Sequence, residues 1–383
     1  MATSYSPKII TDGLVFMYDT DDGKSYKGEP TTNLNTFTLS DSGTDGSGQS
    51  SVGTRTVITD NYVRIVDVAS NTRQTHVITG LTASTTYTVS IMYKKLVGTP
   101  TFRFQIQDYS GSSYLRTIKF TNTSEIGIED KEGWQLASWT FTLGSDANAV
   151  RIWYQDGADY TTYTHSFELQ NPQLEAKSHA TPYVDGTRSA TQGLLDRTGN
   201  TTIDLSNASF DSNAQMTFDG TNDYAEVADQ NSLDLTTAMS FEFVVKPDSS
   251  QSNPYPRLID KSVYLLHLTS TSPFGVYQNI YTSGGLRQTG ISSVVTAGNW
   301  SHIVCTYDGQ YGKIYVDAEL VKTRDFGSVL ACNTNSSSLK IAGDGTTNRP
   351  LNGEMPISKI YNKVLTASEV LQNYNATKGR FGL

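Results

Sequence analysis

The sequence predicts an all-β protein made of two antiparallel β-sandwiches and one short C-terminal helix. Apolar and polar residues alternate over many short runs, and turn residues separate these runs every ten or so positions. A helix-capping pattern occurs close to the C-terminus. The length of 383 residues favours two domains.

Alternating runs predict the strands of the first sandwich, after a Gly/Ser-rich loop at residues 40–53. Their alternating side chains are Tyr87, Val89, Ile91 and Tyr93; Phe102, Phe104 and Ile106; Trp139, Phe141 and Leu143; and Val150, Ile152 and Tyr154. The turn-rich segment PYVDGTR at residues 182–188 separates this sandwich from a second one.

The same alternation continues in the second sandwich. It is carried by Met216 and Phe218; Phe241, Phe243 and Val245; Ile303, Cys305 and Tyr307; Ile314 and Val316; and Leu339 and Ile341. The closing helix is predicted from a capping box at residues 366–369, an apolar face of Val370, Leu371 and Tyr374, and a stop at Gly379.

Composition narrows the function classes. The chain has 29 Lys and Arg against 38 Asp and Glu, so its net charge is −9, which disfavours binding to nucleic acid. An aromatic content of 10% argues against disorder. No apolar run reaches the roughly 20 residues of a membrane span, and the first residues do not resemble a secretion signal. We therefore expect assembly in a cytoplasm, without membrane insertion. We expect Cys305 to be a small buried thiol, and a bridge to Cys332 is the alternative.

Four segments of the second sandwich resemble laminin-G-like, concanavalin-A-like jelly rolls. They are FDGTNDY at 218–224, WSHIVCTYDG at 300–309, KIYVD at 313–317 and KIYNKVLTASE at 359–369. Two positions depart from the pattern of that family. Ala318 replaces the usual turn glycine, and Ser358 replaces an apolar residue, from which we expect a frayed last strand.

The first strand of the same family resembles GLVFMYD at 13–19, followed by KSY at 24–26. The resemblance implies one jelly roll formed by residues 1–30 plus 188–383, with a second sandwich, 31–187, inserted after its opening strand. Insertion at a loop is tolerated where a domain's own ends lie close together. The alternative is a free N-terminal arm followed by two tandem domains.

The inserted segment is similar to carbohydrate-binding-module jelly rolls. FELQNPQLE at 167–175, followed by ATPY at 180–183, resembles the closing strand of such modules in tailed-phage tail and fibre proteins. The C-terminal residues 374–383 also resemble the ends of phage virion proteins.

The residues give no support for catalysis. Glycoside hydrolysis needs two suitably spaced carboxylates, and the acidic cluster at 129–132 has the wrong spacing. The five histidines are scattered, so we expect no catalytic residue and no required cofactor. Related jelly rolls often hold structural Ca²⁺, which makes Asp19 and Asp219 the candidate calcium ligands; turn capping is the alternative role for both.

A glycan-binding face is predicted on the inserted sandwich. If the strands that contain Ile106 and Ile152 share a sheet, their outward side chains supply planar hydrogen-bonding groups and an aromatic ring, as sugar binding requires. The candidate residues are Arg103, Gln105, Gln107, Arg151, Trp153 and Gln155, bordered by Tyr160 and Tyr163. Packing of Trp153 against a neighbour is the alternative. Tyr277 and Tyr281 form a second aromatic candidate, with core packing expected for at least one of them.

Together these features favour a non-enzymatic phage virion structural protein: a capsid decoration, neck or tail accessory protein with an additional capacity to bind glycans. The alternative is a host-surface glycan-binding adhesin at a tail-fibre tip, and a bacterial surface lectin is a weaker option. The expected partners are other virion proteins and host-surface glycans. The expected location is the virion, after assembly in the host cytoplasm. Exposed sheet edges make a homo-oligomer such as a trimer plausible.

Overall fold

A computed structural model describes residues 8–35, 39, 53–67, 73–97, 102–111, 113–121, 132–156, 166–251, 253–346 and 349–383. The chain divides into two compact units. The C-terminal unit comprises residues 1–30, 188–211 and 215–383, and the inserted unit comprises residues 31–187 with 212–214. The predicted all-β class is confirmed, because strands dominate the described residues and a single α-helix lies among them.

The inserted unit is a sandwich of two antiparallel sheets. Its strands are β2 (Thr31–Thr32), β3 (Gly53–Thr59), β4 (Tyr62–Asp67), β5 (Arg73–Thr79), β6 (Thr86–Val97), β7 (Phe102–Ser110), β8 (Ser113–Thr121), β9 (Trp134–Thr142), β10 (Ala149–Asp156) and β11 (Ser166–Glu175). One sheet has the order β5-β10-β7-β8 and the other β3-β4-β11-β6-β9. The alternating residues predicted from sequence, such as Ile91, Ile106 and Ile152, fill the core between them.

The C-terminal unit is built from β1 (Leu14–Asp19) and the strands that follow the inserted unit. These are β12 (Thr187–Arg188), β13 (Ile203–Asn207), β14 (Ser209–Phe210), β15 (Met216–Asp219), β16 (Tyr224–Val227), β17 (Met239–Pro247), β18 (Arg257–Asp260), β19 (Tyr264–Leu268), β20 (Phe274–Thr282), β21 (Gly285–Val295), β22 (Ser301–Tyr307), β23 (Tyr311–Val316), β24 (Glu319–Asp325), β25 (Leu339–Ile341) and β26 (Asn352–Tyr361).

Two sheets of the C-terminal unit enclose one large apolar core. The eight-stranded sheet has the order β14-β15-β26-β17-β22-β23-β24, and β1 also pairs with β26. The seven-stranded sheet has the order β13-β16-β25-β18-β19-β20-β21. The pairing of β1 with β26 joins the first and last strands of the described residues, with Met17 opposite Lys359.

The last strand is continuous, so the expectation that Ser358 would fray it is wrong. Ser358 is fully buried and lies opposite Tyr18 of β1 and Phe243 of β17. Backbone hydrogen bonds on both sides therefore hold β26 in place despite the polar side chain at this position. Ala318 also keeps the turn that the family builds with glycine, because Asp317 and Ala318 both adopt positive φ, 51° and 67°.

The helix α1 (Ala367–Phe381) begins at the predicted capping box, in which the Thr366 side chain accepts a hydrogen bond from the Glu369 backbone. The predicted stop at Gly379 is wrong, because the helix continues to a left-handed cap at Gly382. The predicted apolar face is also incomplete. Val370 is buried, but Leu371 is 49% exposed, and the buried face continues instead through Asn373 and Thr377. None of the described residues forms a helix with the length and apolar character needed to cross a membrane.

A buried carboxylate fixes this helix to the outer face of the eight-stranded sheet. Glu242 of β17 accepts hydrogen bonds from Lys359 Nζ at 2.5 Å and Asn373 Nδ2 at 2.6 Å, and its Oε1 lies 3.1 Å from His302 Nε2. Glu242, His302 and Lys359 have fully buried side chains. Burial opposes ionisation of Glu242, but Lys359 and His302 outweigh it and lower the pKa of this carboxyl to about 2.

Glu242→Gln should destabilise the protein by about 3–5 kcal/mol, because the buried Lys359 ammonium loses its counter-charge. Denaturant unfolding at neutral pH measures the change. Glu354→Gln is the matched control on β26, since Glu354 pairs with Lys246 at the surface and should cost no more than about 1 kcal/mol. Equal stability of the two variants would show that the Glu242 pair does not hold the helix.

Candidate functional site

A cleft of about 490 Å³ lies on the outer face of the seven-stranded sheet, within the C-terminal unit. Strands β18 to β21 supply most of its walls, and the segment before β18 supplies one aromatic side chain. The volume is in the range of clefts that hold small ligands. The lining residues are Tyr255, Arg257, His267, Thr269, Tyr277, Asn279 and Gln288.

Strand pairing places three of these side chains in one row across the sheet. Arg257 of β18 lies opposite His267 of β19, and His267 lies opposite Tyr277 of β20. The His267 and Tyr277 rings are parallel, at an angle of 3° and with centroids 5.2 Å apart. The Tyr255 ring meets His267 edge-on, at 75° and 5.2 Å. The cleft therefore has an aromatic floor and an aromatic wall nearly perpendicular to it.

Gly290 determines where the Tyr277 ring lies. It sits opposite Tyr277 on β21, and a Cβ at this position would come within 2.2 Å of the Tyr277 ring. The glycine thus lets the tyrosine lie against the backbone of the neighbouring strand. Tyr277 remains half-buried and Tyr255 is 46% exposed, so both rings offer apolar surface to a ligand.

A pair of amides borders the aromatic floor. Gln288 Nε2 donates a hydrogen bond to Asn279 Oδ1 at 3.0 Å, and the two residues lie opposite each other on β21 and β20. The Asn279 NH₂ and the Gln288 side-chain carbonyl take no part in this hydrogen bond. If both amides were flipped, the pair would still present one donor and one acceptor. This combination suits a hydroxyl group, which both donates and accepts.

An ion pair neutralises Arg257 in the wall of the cleft. Arg257 Nε donates to Asp260 Oδ2 at 2.9 Å, and both side chains are mostly buried. The Arg349 guanidinium lies over the Tyr255 ring, 4.9 Å from its centroid. Arg257 is thus held by its counter-charge and Arg349 by an aromatic ring, and the aromatic and amide side chains offer a ligand stacking and hydrogen bonding.

His267 is held in its neutral form. Burial is the main cause that lowers its pKa from 6.5 to about 4, and Arg257 and Arg349 add to the effect. A hydrogen bond to the Leu268 carbonyl, at 3.0 Å from Nδ1, works in the opposite direction. The imidazole therefore acts as a flat neutral ring at physiological pH.

The unfolded state binds a proton at position 267 more readily than the folded state does, so stability should fall as the pH drops from 6.5 to 4. His267→Phe should remove up to about 3 kcal/mol of this acid sensitivity. Denaturant unfolding at pH 7 and pH 4 measures the difference. His179→Phe, in the inserted unit, is the control, and an equal change in both variants would contradict the role of His267.

The sequence-predicted glycan face lies elsewhere, on the inserted unit. Strands β7 and β10 are antiparallel neighbours, and the register places Gln107 opposite Arg151 and Gln105 opposite Trp153. The same register places Arg103 opposite Gln155. The strands that contain Ile106 and Ile152 therefore share a sheet, as the predicted glycan-binding face requires.

Individual side chains on this face have partners within the unit. Gln107 is buried, and the Arg151 guanidinium lies 4.5 Å from the centroid of the Tyr109 ring. Gln105 Nε2 donates to Thr117 Oγ1 at 3.3 Å. Tyr160 and Tyr163 lie outside the described residues. For Arg103, Trp153 and Gln155 the structure describes the backbone but not the side chain. Glycan binding by this face stays a prediction.

The two candidate calcium ligands are engaged in other contacts. Both carboxylate oxygens of Asp19 accept hydrogen bonds from Arg380, at 2.6 and 2.7 Å. Asp219 Oδ1 accepts from the Thr221 backbone at 2.8 Å, as in a capped turn. Among the residues that the structure describes, no cluster of three or more acidic, histidine or cysteine side chains is arranged for a metal. Arg380 thus neutralises Asp19 in this structure, and calcium binding at the two positions stays a prediction.

A second, smaller cavity of about 260 Å³ lies beside the end of α1 in the same unit. Trp300 and Phe381 line it, with ring centroids 4.9 Å apart. The charged residues that line it form ion pairs: Arg380 pairs with Asp21, and Glu354 pairs with Lys246, which lies outside the lining. Among the described residues that line this cavity, Gln215 is the one amide, so no amide pair like that of Asn279 and Gln288 is present.

Sequence patterning found part of the cleft. The pattern predicts an aromatic patch of Tyr277 and Tyr281, and of these two Tyr277 lines the cleft. The expectation that at least one of them packs in the core is wrong, because both point outward from β20, with Tyr281 37% exposed. His267 was missed because every residue of β19 is buried, which hides the alternation. Tyr255 was missed because it lies in a loop that carries no periodic signal.

Residues 219–371 match a laminin-G-type family model described as the concanavalin A-like lectin/glucanases superfamily. The match covers β16 to β26 and the start of α1, and it includes every residue that lines the cleft. The predicted jelly-roll character of this region is therefore confirmed.

Comparisons with solved structures gave low similarities. The binding domain of botulinum neurotoxin serotype G matches with 13% identity and a TM-score of 0.40, over 48% of each chain. The serotype D binding domain matches with 13% identity and a TM-score of 0.38, over 50% of each chain. The chain thus spans about half the length of these toxin domains.

The carbohydrate-binding module CBM40 of the Ruminococcus gnavus IT-sialidase, bound to α2,3 sialyllactose, matches with 18% identity and a TM-score of 0.31, over 36% of this chain and 82% of that one. No curated protein sequence matches the chain.

Proposed function

We propose that the protein is a glycan-binding protein without catalytic activity, and that it holds sugar in the cleft of the seven-stranded sheet. The observation that carries this proposal is the juxtaposition of two accessible tyrosines, Tyr255 and Tyr277, with the Asn279–Gln288 amide pair. A sugar ring has an apolar face that stacks on an aromatic ring and hydroxyls that pair with planar amides. The cleft offers both within one small site.

The walls of the cleft support binding rather than hydrolysis. Glycoside hydrolysis requires two carboxyl groups that flank the scissile bond. Among the described residues, those that line the cleft include no Asp or Glu. The Asp260 carboxylate, on the same strand as Arg257, is held by the Arg257 guanidinium.

We also propose that the protein is a structural component of a tailed-phage particle, as an accessory protein or, alternatively, an adhesin at a fibre tip. The sequence resemblances at residues 167–183 and 374–383 support this role. Strand β24 lies at the edge of the eight-stranded sheet and exposes 51% of Leu320, as a strand that docks on another subunit would. Mass spectrometry of purified particles tests the role: several copies per particle would support it, and absence of the chain would overturn it.

Tyr277→Ala should weaken glycan binding about tenfold or more, because the aromatic floor is lost. A glycan array that includes oligomers of common hexoses and N-acetylhexosamines identifies the bound glycans, and calorimetry measures their affinity. Trp300→Ala, which removes an aromatic ring from the other cavity, should leave binding unchanged. If the wild type binds no glycan on the array, the proposed function is wrong.

Gly290→Ala should weaken binding although it removes no lining side chain. The added methyl group would displace the Tyr277 ring from its place against β21. Gly23→Ala is the control, since a Cβ at Gly23 meets nothing within 4 Å. Equal loss in both glycine variants, or no loss in either, would contradict the role of Tyr277 as the floor of the site.

A further inference from the structure

The outer face of the β20–β21 hairpin continues beyond the cleft. Residues on one face of a strand recur every second position, so Tyr277, Asn279 and Tyr281 share the outer face of β20. Their partners on β21 are Gly290, Gln288 and Leu286, in the same order. The hairpin therefore carries three consecutive rows of outward side chains.

The third row consists of exposed apolar groups. Tyr281 is 37% exposed and Leu286 is 49% exposed, and they lie directly opposite each other. Neither residue lines the cleft itself. An exposed aromatic side chain beside an exposed leucine offers apolar surface that a ligand can cover.

The spacing of the rows sets the length of this surface. Tyr281 lies four positions after Tyr277, so their Cα atoms are about 14 Å apart along the strand, with Asn279 midway. A ligand confined to the cleft contacts only the first two rows. A ligand that also covers Tyr281 must be elongated and must present apolar faces at both ends and hydroxyls between them.

We propose that the ligand is an extended linear oligosaccharide that lies along β20, with one sugar ring on Tyr277, polar contacts to Asn279 and Gln288, and a further ring on Tyr281 beside Leu286. This inference rests on the proposed glycan-binding function and specifies its ligand class. The first and third rows of the hairpin offer surface on which sugar rings can stack, and the second row offers hydrogen-bonding groups to the hydroxyls between those rings. A single terminal sugar would leave the third row unused.

Length-dependent binding tests the inference. Calorimetry would compare wild type, Tyr281→Ala and Tyr281→Phe with glucose, mannose, galactose and N-acetylglucosamine and with their linear oligomers of up to about six rings. Wild-type affinity should rise with oligomer length. Tyr281→Ala should lose about fivefold or more in affinity for the longer oligomers and nothing for single sugars, and Tyr281→Phe should retain the affinity.

Tyr311→Ala is the matched control, because Tyr311 is also 37% exposed but lies on β23 of the other sheet. It should bind every oligomer as the wild type does. If Tyr281→Ala matches the wild type at all lengths while Tyr277→Ala is weakened, the extended site is wrong and the cleft alone binds sugar. If no sugar of the series binds the wild type, or if Tyr277→Ala binds as well as the wild type, the proposed function itself fails.

Discussion

Each strand of the seven-stranded sheet must place successive side chains on opposite faces. Because of this constraint, the same strands supply the core of the C-terminal unit on one face and its cleft on the other. On β20, Val276 and Ile280 fill the core, whereas Tyr277 and Asn279 face outward. A shift of one residue in the pairing of β20 would bury the binding groups and expose the core. The register that stabilises the fold is therefore the same register that assembles the site.

The site is organised before any ligand arrives. Gly290 gives the Tyr277 ring a place against the backbone, and burial keeps His267 neutral and flat. The amide pair of Asn279 and Gln288 restrains both side chains. Groups that are already fixed lose little conformational freedom on binding, so a site of this kind spends less of its interaction energy on ordering. The opposite sheet is stabilised in a different way, by the buried Glu242 and its partners beneath α1.

Much of the fold was predictable from the sequence because half-buried strands show their alternation directly. The runs around Ile106, Ile152 and Phe243 lie in strands, and the capping box begins the helix. The helix end was misplaced because Gly379 is tolerated inside a helix, while the left-handed cap falls at Gly382. Ser358 was misjudged because backbone pairing on both sides outweighs one polar side chain.

The cleft was only partly predictable, for reasons that are specific to its residues. Tyr277 and Tyr281 are visible as alternating aromatics, but the sequence does not show which strands lie beside β20. His267 and Gln288 join the site through cross-strand pairing, and Tyr255 joins through a loop. The sequence indicates instead a face around Trp153, because the alternation of Arg151, Trp153 and Gln155 lies within a single strand.

Hydrogen exchange of the full chain, with and without the glycan that binds best on the array, tests most directly whether the outer face of the seven-stranded sheet is the recognition surface. We expect the glycan to slow exchange in peptides that cover residues 255–295, which contain β18 to β21. Protection confined to β7 and β10 of the inserted unit, with no change in residues 255–295, would contradict recognition by the seven-stranded sheet.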